Sequence, residues 1–542
     1  MSRVVAFARR VAFGSDVRRA IAMEQDIIDG EKRLVSSGNP LPWDLSPGGR
    51  GFLVGTTTDR RRVEVDLTAL LAHVLFLGPT RVGKTALMAL FVEGLFAFGI
   101  TSIIVIGVGK DDSIQYVRAV LARLLMNLPR EAAQKFLDQV IVIAPSSRSH
   151  LVPFDLTAPE PGRSAELQAS DLTRSQFVTQ AHPIGPKQED IAYLTFRLLI
   201  ETRLPATFFD RPLRDPAVAE ALVMHTPNPD MYRGYLERVR REYRSDAVLG
   251  LVARANAHYR HEPTRLMVGG AEGAMVQAPE LFRNRIALVD LTPEYGAEDV
   301  IRFIGSALWN RLVRASLSRP VGSENCFVLA DEFQQLLQSE QDAALALENV
   351  LRLCAARGTW WWLATQTLAG LERYGSSLSK VIAVNTALKI IFRSTDTIEG
   401  LLPVTGRRSR PWATPPWQKP GDYYLSRSEE RAYLTEQLAA LPQRWCYLQH
   451  AKNGRPGTLI RTADASLTIP GNCPDFIREG LERGTLSVSV AVLRRGLEAA
   501  ERRFHQLVNP QPPVETAPNC GSVVEVSSSG PAFPKARPME MG

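Results

Sequence analysis

Eight consecutive residues, Gly78-Pro79-Thr80-Arg81-Val82-Gly83-Lys84-Thr85, fit the pattern G-x-x-x-x-G-K-[ST]. The pattern constrains much more than one loop. A backbone can wrap a phosphate this closely only where side-chain bulk is removed, here at Gly78 and Gly83. Its N–H groups must turn inward, and a helix N-terminus must stand behind them. A strand has to lead in and a helix has to lead out. Both are written in the chain: HVLFL (His73–Leu77) precedes the loop and an apolar helical run follows it. In such a loop Lys84 reaches the β- and γ-phosphates and the Thr85 hydroxyl binds Mg²⁺.

Two further segments end in polar groups where an α/β sheet binds its ligands. Phe327-Val328-Leu329-Ala330-Asp331-Glu332 is an apolar strand closing on adjacent carboxylates. Beside a phosphate loop, Asp331 suits Mg²⁺ and Glu332 suits the attacking water, which it would orient or deprotonate. Trp361-Trp362-Leu363-Ala364-Thr365-Gln366 is another apolar strand, and it ends in Gln366. Spacing alone favours a solvated strand end for Gln366 over a group that touches the γ-phosphate or the water.

The remaining elements build a doubly wound sheet around these ends. Gly51–Gly55 and Arg61–Asp66 flank a turn and form a hairpin. Ser102–Ile106, Val140–Ala144, Ile286–Leu291, Thr359–Ala364, Val381–Val384 and Leu388–Phe392 read as buried strands, alternating with helices near Glu298–Ser316 and Ala343–Ala356. Between Pro145 and Pro279 the pattern turns helical, as in Glu189–Glu201 and Tyr232–Tyr243. Thr405–Gly421 reads as a loop, and Thr485–Phe504 as a last amphipathic helix.

The window Leu87–Ile106 carries one charge, Glu93, and is long enough to span a bilayer. Its place directly after the loop marks it as a buried helix and a buried parallel strand instead. The N-terminal stretch MSRVVAFARRVAF is broken by Arg9 and Arg10, so it is no secretory signal. A surface helix is its simple reading, and a basic helix in peripheral contact with a membrane is the other. The five cysteines are scattered without a C-x-x-C pair, which points away from a disulfide framework or zinc ribbon and toward a reducing, cytoplasmic setting. The net charge of +7 permits a nucleic-acid partner without requiring one.

Taken together, HVLFLGPTRVGKT, FVLADEFQQL, ATQTLAGLERYG and NTALKIIFRSTD resemble the HerA/FtsK superfamily of P-loop motors, and within it the TraG/TraD family of conjugative coupling proteins. His73, Asp331-Glu332-Phe333, Gln366 and Tyr374-Gly375 stand at matching places, as do the segments Gly185–Glu201 and IALVDLTPEYGAEDVIRFIGSALWNRLV. The likeness spans about Gly51–Asp396. Some positions depart from the family pattern. Arg81 replaces a glycine of the loop, Gly107-Val108-Gly109-Lys110-Asp111 lacks the first acid of the usual turn, and Arg357 is displaced by two positions from the family's R-K-x-G arginine.

The resemblance implies an α/β fold with a RecA-like P-loop NTPase core, a doubly wound, mostly parallel sheet and an inserted mainly helical domain. It implies ATP and Mg²⁺ as cofactors, a homo-hexamer that grips DNA independently of sequence, and relaxosome and type IV secretion components as partners. It gives Gln366 a sensor role and makes Arg357 the trans arginine finger, with Arg352 as the alternative. The expected divisions are a helical segment 1–50, the ATPase core 51–112 and 284–470, the insertion 113–283, a helical segment 471–508 and a disordered tail 509–542. A HerA-like motor of repair or defence and a nucleotide-dependent protein-recruiting scaffold are the rival readings. The family's transmembrane helices have no counterpart here, so the chain is expected in the cytoplasm or peripherally at the inner membrane.

Overall fold

The computed structural model describes residues 51–509 except 58–59, 110–111, 161, 179–183, 243–244, 271–275, 293–297, 338–339, 375–377, 397–400, 403–425, 451–457 and 466. The expected N-terminal segment, the loop 405–421, the tail, Lys110, Asp111 and Gly375 lie outside the described residues. In chain order the strands are β1 (Phe52–Thr56), β2 (Arg62–Val65), β3 (Val74–Leu77), β4 (Ile103–Val108), β5 (Val140–Ile143), β6 (His150–Leu151), β7 (Ile286–Leu291), β8 (Cys326–Ala330), β9 (Thr359–Thr365), β10 (Leu388–Ile391), β11 (Trp445–His450), β12 (Thr458–Thr462) and β13 (Val488–Ser489).

All but β6 and β13 join one 11-stranded sheet ordered β2-β1-β12-β11-β10-β3-β9-β8-β4-β7-β5. From β10 to β5 every neighbouring pair is parallel, and β11, β12, β1 and β2 extend the sheet antiparallel. β9 separates the loop-bearing strand β3 from the carboxylate-bearing strand β8, as in a RecA-like P-loop NTPase core.

The strands are apolar throughout because both faces are covered. Phe76, Val105, Phe327 and Trp362 face the helices Lys84–Ala97 and Asp112–Met126, while Leu75, Ile104, Val328 and Trp361 face the other side. Leu87–Ile106 divides as expected into the helix Lys84–Ala97 and buried β4. No helix among the described residues is long and apolar enough to cross a membrane.

Three differences from the sequence reading have physical causes. Val381–Val384 is part of the helix Leu378–Asn385, with Ile382 buried and Val384 76% exposed. Four β-branched and small residues are too short a run to distinguish the strand period from the helical one. β11 and β12 were not anticipated as strands. The expected insertion 113–283 includes β5, yet β5 pairs with β7 at the sheet edge, and the helix Asp112–Met126 packs on the loop helix. The mainly helical stretch therefore begins after Ile143.

That stretch shares one continuous apolar core with the outer face of the sheet, including Phe177, Phe196 and Phe209. It is also tied by a buried cation. Arg311, on the helix Glu298–Ser318, donates to the Asp155 and Leu156 carbonyls at 3.1 and 2.9 Å and lies 3.3 Å from Glu160. The helix Val490–Val508 returns to close this side, with Phe504 5.2 Å from Phe208.

His73 opens the loop strand from a buried position. Its Nδ1 accepts the Trp361 N–H at 3.0 Å. Burial pushes its pKa from 6.5 down to about 4. The folded chain thus binds this proton more weakly than the unfolded chain, and the stability contributed by neutral His73 is lost as pH falls from 6.5 toward 4. Between pH 7 and pH 5 the loss should be about 2 kcal/mol. Urea unfolding at the two pH values should show that extra loss in the wild type and not in His73→Gln.

Candidate nucleotide site

Parallel pairing delivers the three motifs to one edge. Leu77 is in register with Thr365, and Ala330 with Leu363, so the ends of β3, β8 and β9 open side by side. The loop leaves β3 through Gly78, whose φ is +152°, and enters its helix through Gly83, at +106°. Glycine is required at Gly78, because a Cβ would stand 2.7 Å from the Phe392 Cβ. Arg81 takes φ +64° and is exposed at the cleft.

Lys84 is 5% exposed. Its Nζ donates to the Gly78 carbonyl at 3.2 Å and to Glu332 Oε1 at 3.4 Å. Glu332 itself sits at φ +52°, a left-handed conformation that a side chain adopts at a cost of about 1 kcal/mol or more. Both its oxygens are occupied: Gln366 Nε2 donates to Oε1 at 2.9 Å, and Gln334 Nε2 donates to Oε2 at 2.5 Å. Lys84, Glu332 and Gln366 thus meet at the ends of these strands.

Asp331 is buried beside them. Ser113 Oγ donates to its Oδ2 at 2.8 Å, and Thr85 Oγ1 reaches the same atom at 3.4 Å. Burial pushes the Asp331 carboxyl upward. The Lys84 ammonium opposes that shift and the Glu332 charge adds to it. Among the described residues its Oδ1 is buried without a hydrogen-bond partner. A buried carboxylate oxygen left open beside a hydroxyl is the donor set a hard divalent cation takes, so Thr85 and Asp331 fit Mg²⁺.

The phosphate loop, Asp331 and Glu332 floor a cleft of about 630 Å³, lined also by Tyr116, Gln443, Arg444, Asp464 and Leu467. Tyr116 is on the helix Asp112–Met126, and the other four flank β11 and β12 of the antiparallel extension. Gln443 Nε2 donates to the Arg81 carbonyl at 2.8 Å, and the Arg444 N–H donates to the Val82 carbonyl at 2.8 Å. The Arg444 guanidinium then holds the Thr462 and Ala463 carbonyls at 3.0 and 2.7 Å and pairs with Asp464. The phosphate loop is therefore clamped on its outer side by two residues that the sequence motifs do not mark. Gln334 stands two residues from Glu332 and could have been suspected; Ser113 and Arg444 carry no such signal.

Arg357 is not at this site. It lies before the amino end of β9, where its guanidinium donates to the Arg319 carbonyl. The seven residues of β9, at ~3.3 Å each, put roughly 23 Å between it and Gln366. Arg352 is exposed and pairs with Glu348 on its own helix.

Fold and site together define a RecA-like P-loop nucleotide-binding core. No protein-family model and no curated protein matches the chain. Among solved structures it is similar to the plasmid coupling protein TrwB in complex with ADP and Mg²⁺, at 15% identity over 80% of this chain and 98% of that one, with a TM-score of 0.48. TrwB in complex with a non-hydrolysable ATP analogue matches at 16% identity over 80% and 99%, with a TM-score of 0.47. VirB4 of Thermoanaerobacter pseudethanolicus matches at 14% identity over 78% and 98%, with a TM-score of 0.44.

Removing the Arg444 side chain should free the Thr462 and Ala463 carbonyls and loosen the segment whose backbone N–H holds the Val82 carbonyl of the loop. Arg444→Ala should lower stability by about 2 kcal/mol and weaken nucleotide binding about tenfold. Urea unfolding and nucleotide titration check both. Unchanged binding would show that the Arg444 side chain does not shape the loop.

Proposed function

We propose that this chain is an ATP-driven DNA translocase of the kind that delivers DNA, with any bound protein, to a type IV secretion channel. The observation that supports it most is the joined triad of Lys84, Glu332 and Gln366 at the ends of three parallel strands, with Asp331 open beside Thr85. A binding-only loop has no need of the second carboxylate or of the amide that orients it. The motif resemblance supplies the DNA.

In this reading Gly78–Thr85 wraps the phosphates, with backbone N–H groups and the helix N-terminus facing the anion. Lys84 leaves Glu332 for the β/γ-phosphates. Mg²⁺ held by Thr85 and Asp331 would neutralise charge as it develops on the phosphates. Glu332, released by Lys84, takes the proton of the attacking water, and Gln366 holds Glu332 or the water and so registers the γ-phosphate. The positive charge missing from this edge is supplied in trans by Arg357 of a neighbouring copy in a homo-hexamer, worth 10³–10⁵ in turnover where such fingers act. DNA is held by its phosphates, so binding weakens as salt rises.

ATP turnover measured with and without single- and double-stranded DNA, at low and moderate salt, tests this. DNA should stimulate the wild type strongly, and salt should erase the stimulation. Lys84→Ala should lose nucleotide binding. Glu332→Gln should keep binding and lose turnover at least about 100-fold. Turnover indifferent to DNA would instead favour the protein-recruiting scaffold, and normal hydrolysis by Glu332→Gln would remove Glu332 from its role.

A further inference from the structure

Beyond the residues that touch phosphate, one carboxylate is built into the turn that aims Gln366. Asp396 follows β10 and is 8% exposed. Its Oδ1 accepts the Thr367 hydroxyl at 2.5 Å and the Ala369 N–H at 3.4 Å, and its Oδ2 accepts the Leu368 N–H at 2.7 Å. These donors are the three residues directly after Gln366. They include the first residue of the short helix Ala369–Tyr374, whose opening N–H groups have no partner within the helix. A carboxylate from the segment after β10 satisfies them and fixes the turn.

The other end of the same segment leans on the phosphate loop. The Phe392 N–H donates to the Leu77 carbonyl at 2.8 Å, and the Phe392 Cβ fills the space that a side chain at Gly78 would need. Ser394 Oγ accepts the Asp396 N–H at 3.1 Å, and the Ser394 N–H is held by the Leu438 carbonyl at 3.2 Å. Residues 392–396 therefore bridge the loop that would hold the phosphates and the turn that presents Gln366 to Glu332.

We infer that Asp396 is a positioning residue for Gln366: it fixes the 366–369 turn against the phosphate loop, so that the amide stays in reach of Glu332. The inference rests on the ATPase reading given above. A charged acceptor is used because hydrogen bonds to an ionised group are about twice as strong as neutral ones, and three donors converge on it. No Asp396 atom needs to meet nucleotide for this role.

The test is a double-mutant cycle in the full chain. Asp396→Ala should lower the kcat for ATP about tenfold, with KM and binding of a fluorescent ATP analogue changed less than about twofold. Gln366→Ala should do the same. The double variant should be no slower than Gln366→Ala alone, because residues acting through one group are not additive. A double variant slowed by the product of the two losses would overturn the inference, as would an Asp396 variant that loses binding and keeps kcat. If Asp396→Ala does not fold, Asp396→Asn keeps one acceptor oxygen for the Leu368 N–H and enters the same cycle. Backbone hydrogen exchange gives a readout that needs no turnover. The Thr367–Tyr374 peptide should exchange faster in the variant, while the Gly78–Ala86 peptide does not. A wild type that binds ATP without hydrolysing it would sink the ATPase reading alone. In that case unchanged exchange in Thr367–Tyr374 would still overturn the role given to Asp396.

Discussion

The site depends on one buried ammonium shared between strands. Lys84 lies among Glu332, Asp331 and the Gly78 carbonyl, and it is the cation nearest two adjacent buried carboxylates. A single ammonium cannot balance two such groups in a medium of low dielectric. The deficit shows in Asp331, whose carboxyl burial drives upward and whose Oδ1 has no donor among the described residues. Hydroxyls and amides fill in around it: Ser113 and Thr85 on Asp331, Gln334 and Gln366 on Glu332. The edge is thus arranged around an incomplete charge balance, which phosphate and a divalent cation together would redraw.

Holding that balance requires a rigid base. The parallel strands are buried on both faces, so none can slide by one residue without turning its apolar set against the wrong layer. The Phe91 ring, on the helix that follows the phosphate loop, packs edge-to-face on Phe76 and on Trp362 at 5.6 and 5.5 Å, and Phe76 and Trp362 meet tilted at 6.4 Å. The helical stretch after Ile143 adds to this base instead of standing apart. It shares the outer core and sends the Asp155–Glu160 segment to Arg311, whose full burial would be costly without those carbonyls and Glu160.

What the sequence revealed follows from how each feature is encoded. The phosphate loop, Asp331-Glu332 and Gln366 are each written locally, as an apolar run that ends in a polar group, and the parallel order brings such ends together without further information. Ser113, Gln443 and Arg444 act on the same cleft from segments distant in the chain. Arg444 arrives only because β11 and β12 pair antiparallel beyond β10, a pairing that two short mixed runs do not announce. Val381–Val384 was misread because its exposed and buried positions can be told apart only over a longer helix. Arg357 was assigned by likeness to a family motif, and its position at the amino end of β9 separates it from the cleft of its own chain.

The division between apolar base and polar edge has a consequence for how such a site could move. Apolar packing in the sheet resists displacement because every ångström of gap forfeits dispersion and opens cavity. The contacts at the edge are of another kind. Lys84 to Glu332, Gln366 to Glu332 and Gln443 to the Arg81 carbonyl are single hydrogen bonds, each worth on the order of 1 kcal/mol net, or somewhat more where one partner is charged. A ligand that offers Lys84 and Gln366 better partners can exchange them without disturbing β3, β8 or β9. The strained φ of Glu332 makes its carboxylate the point where that exchange is least opposed. The residues that bridge Gly78 and the Gln366 turn then decide how far the exchange is felt: the Phe392 N–H is bonded to the Leu77 carbonyl, and Asp396 holds the Thr367 hydroxyl and the Leu368 N–H, so the segment ties the phosphate loop to the turn at both ends.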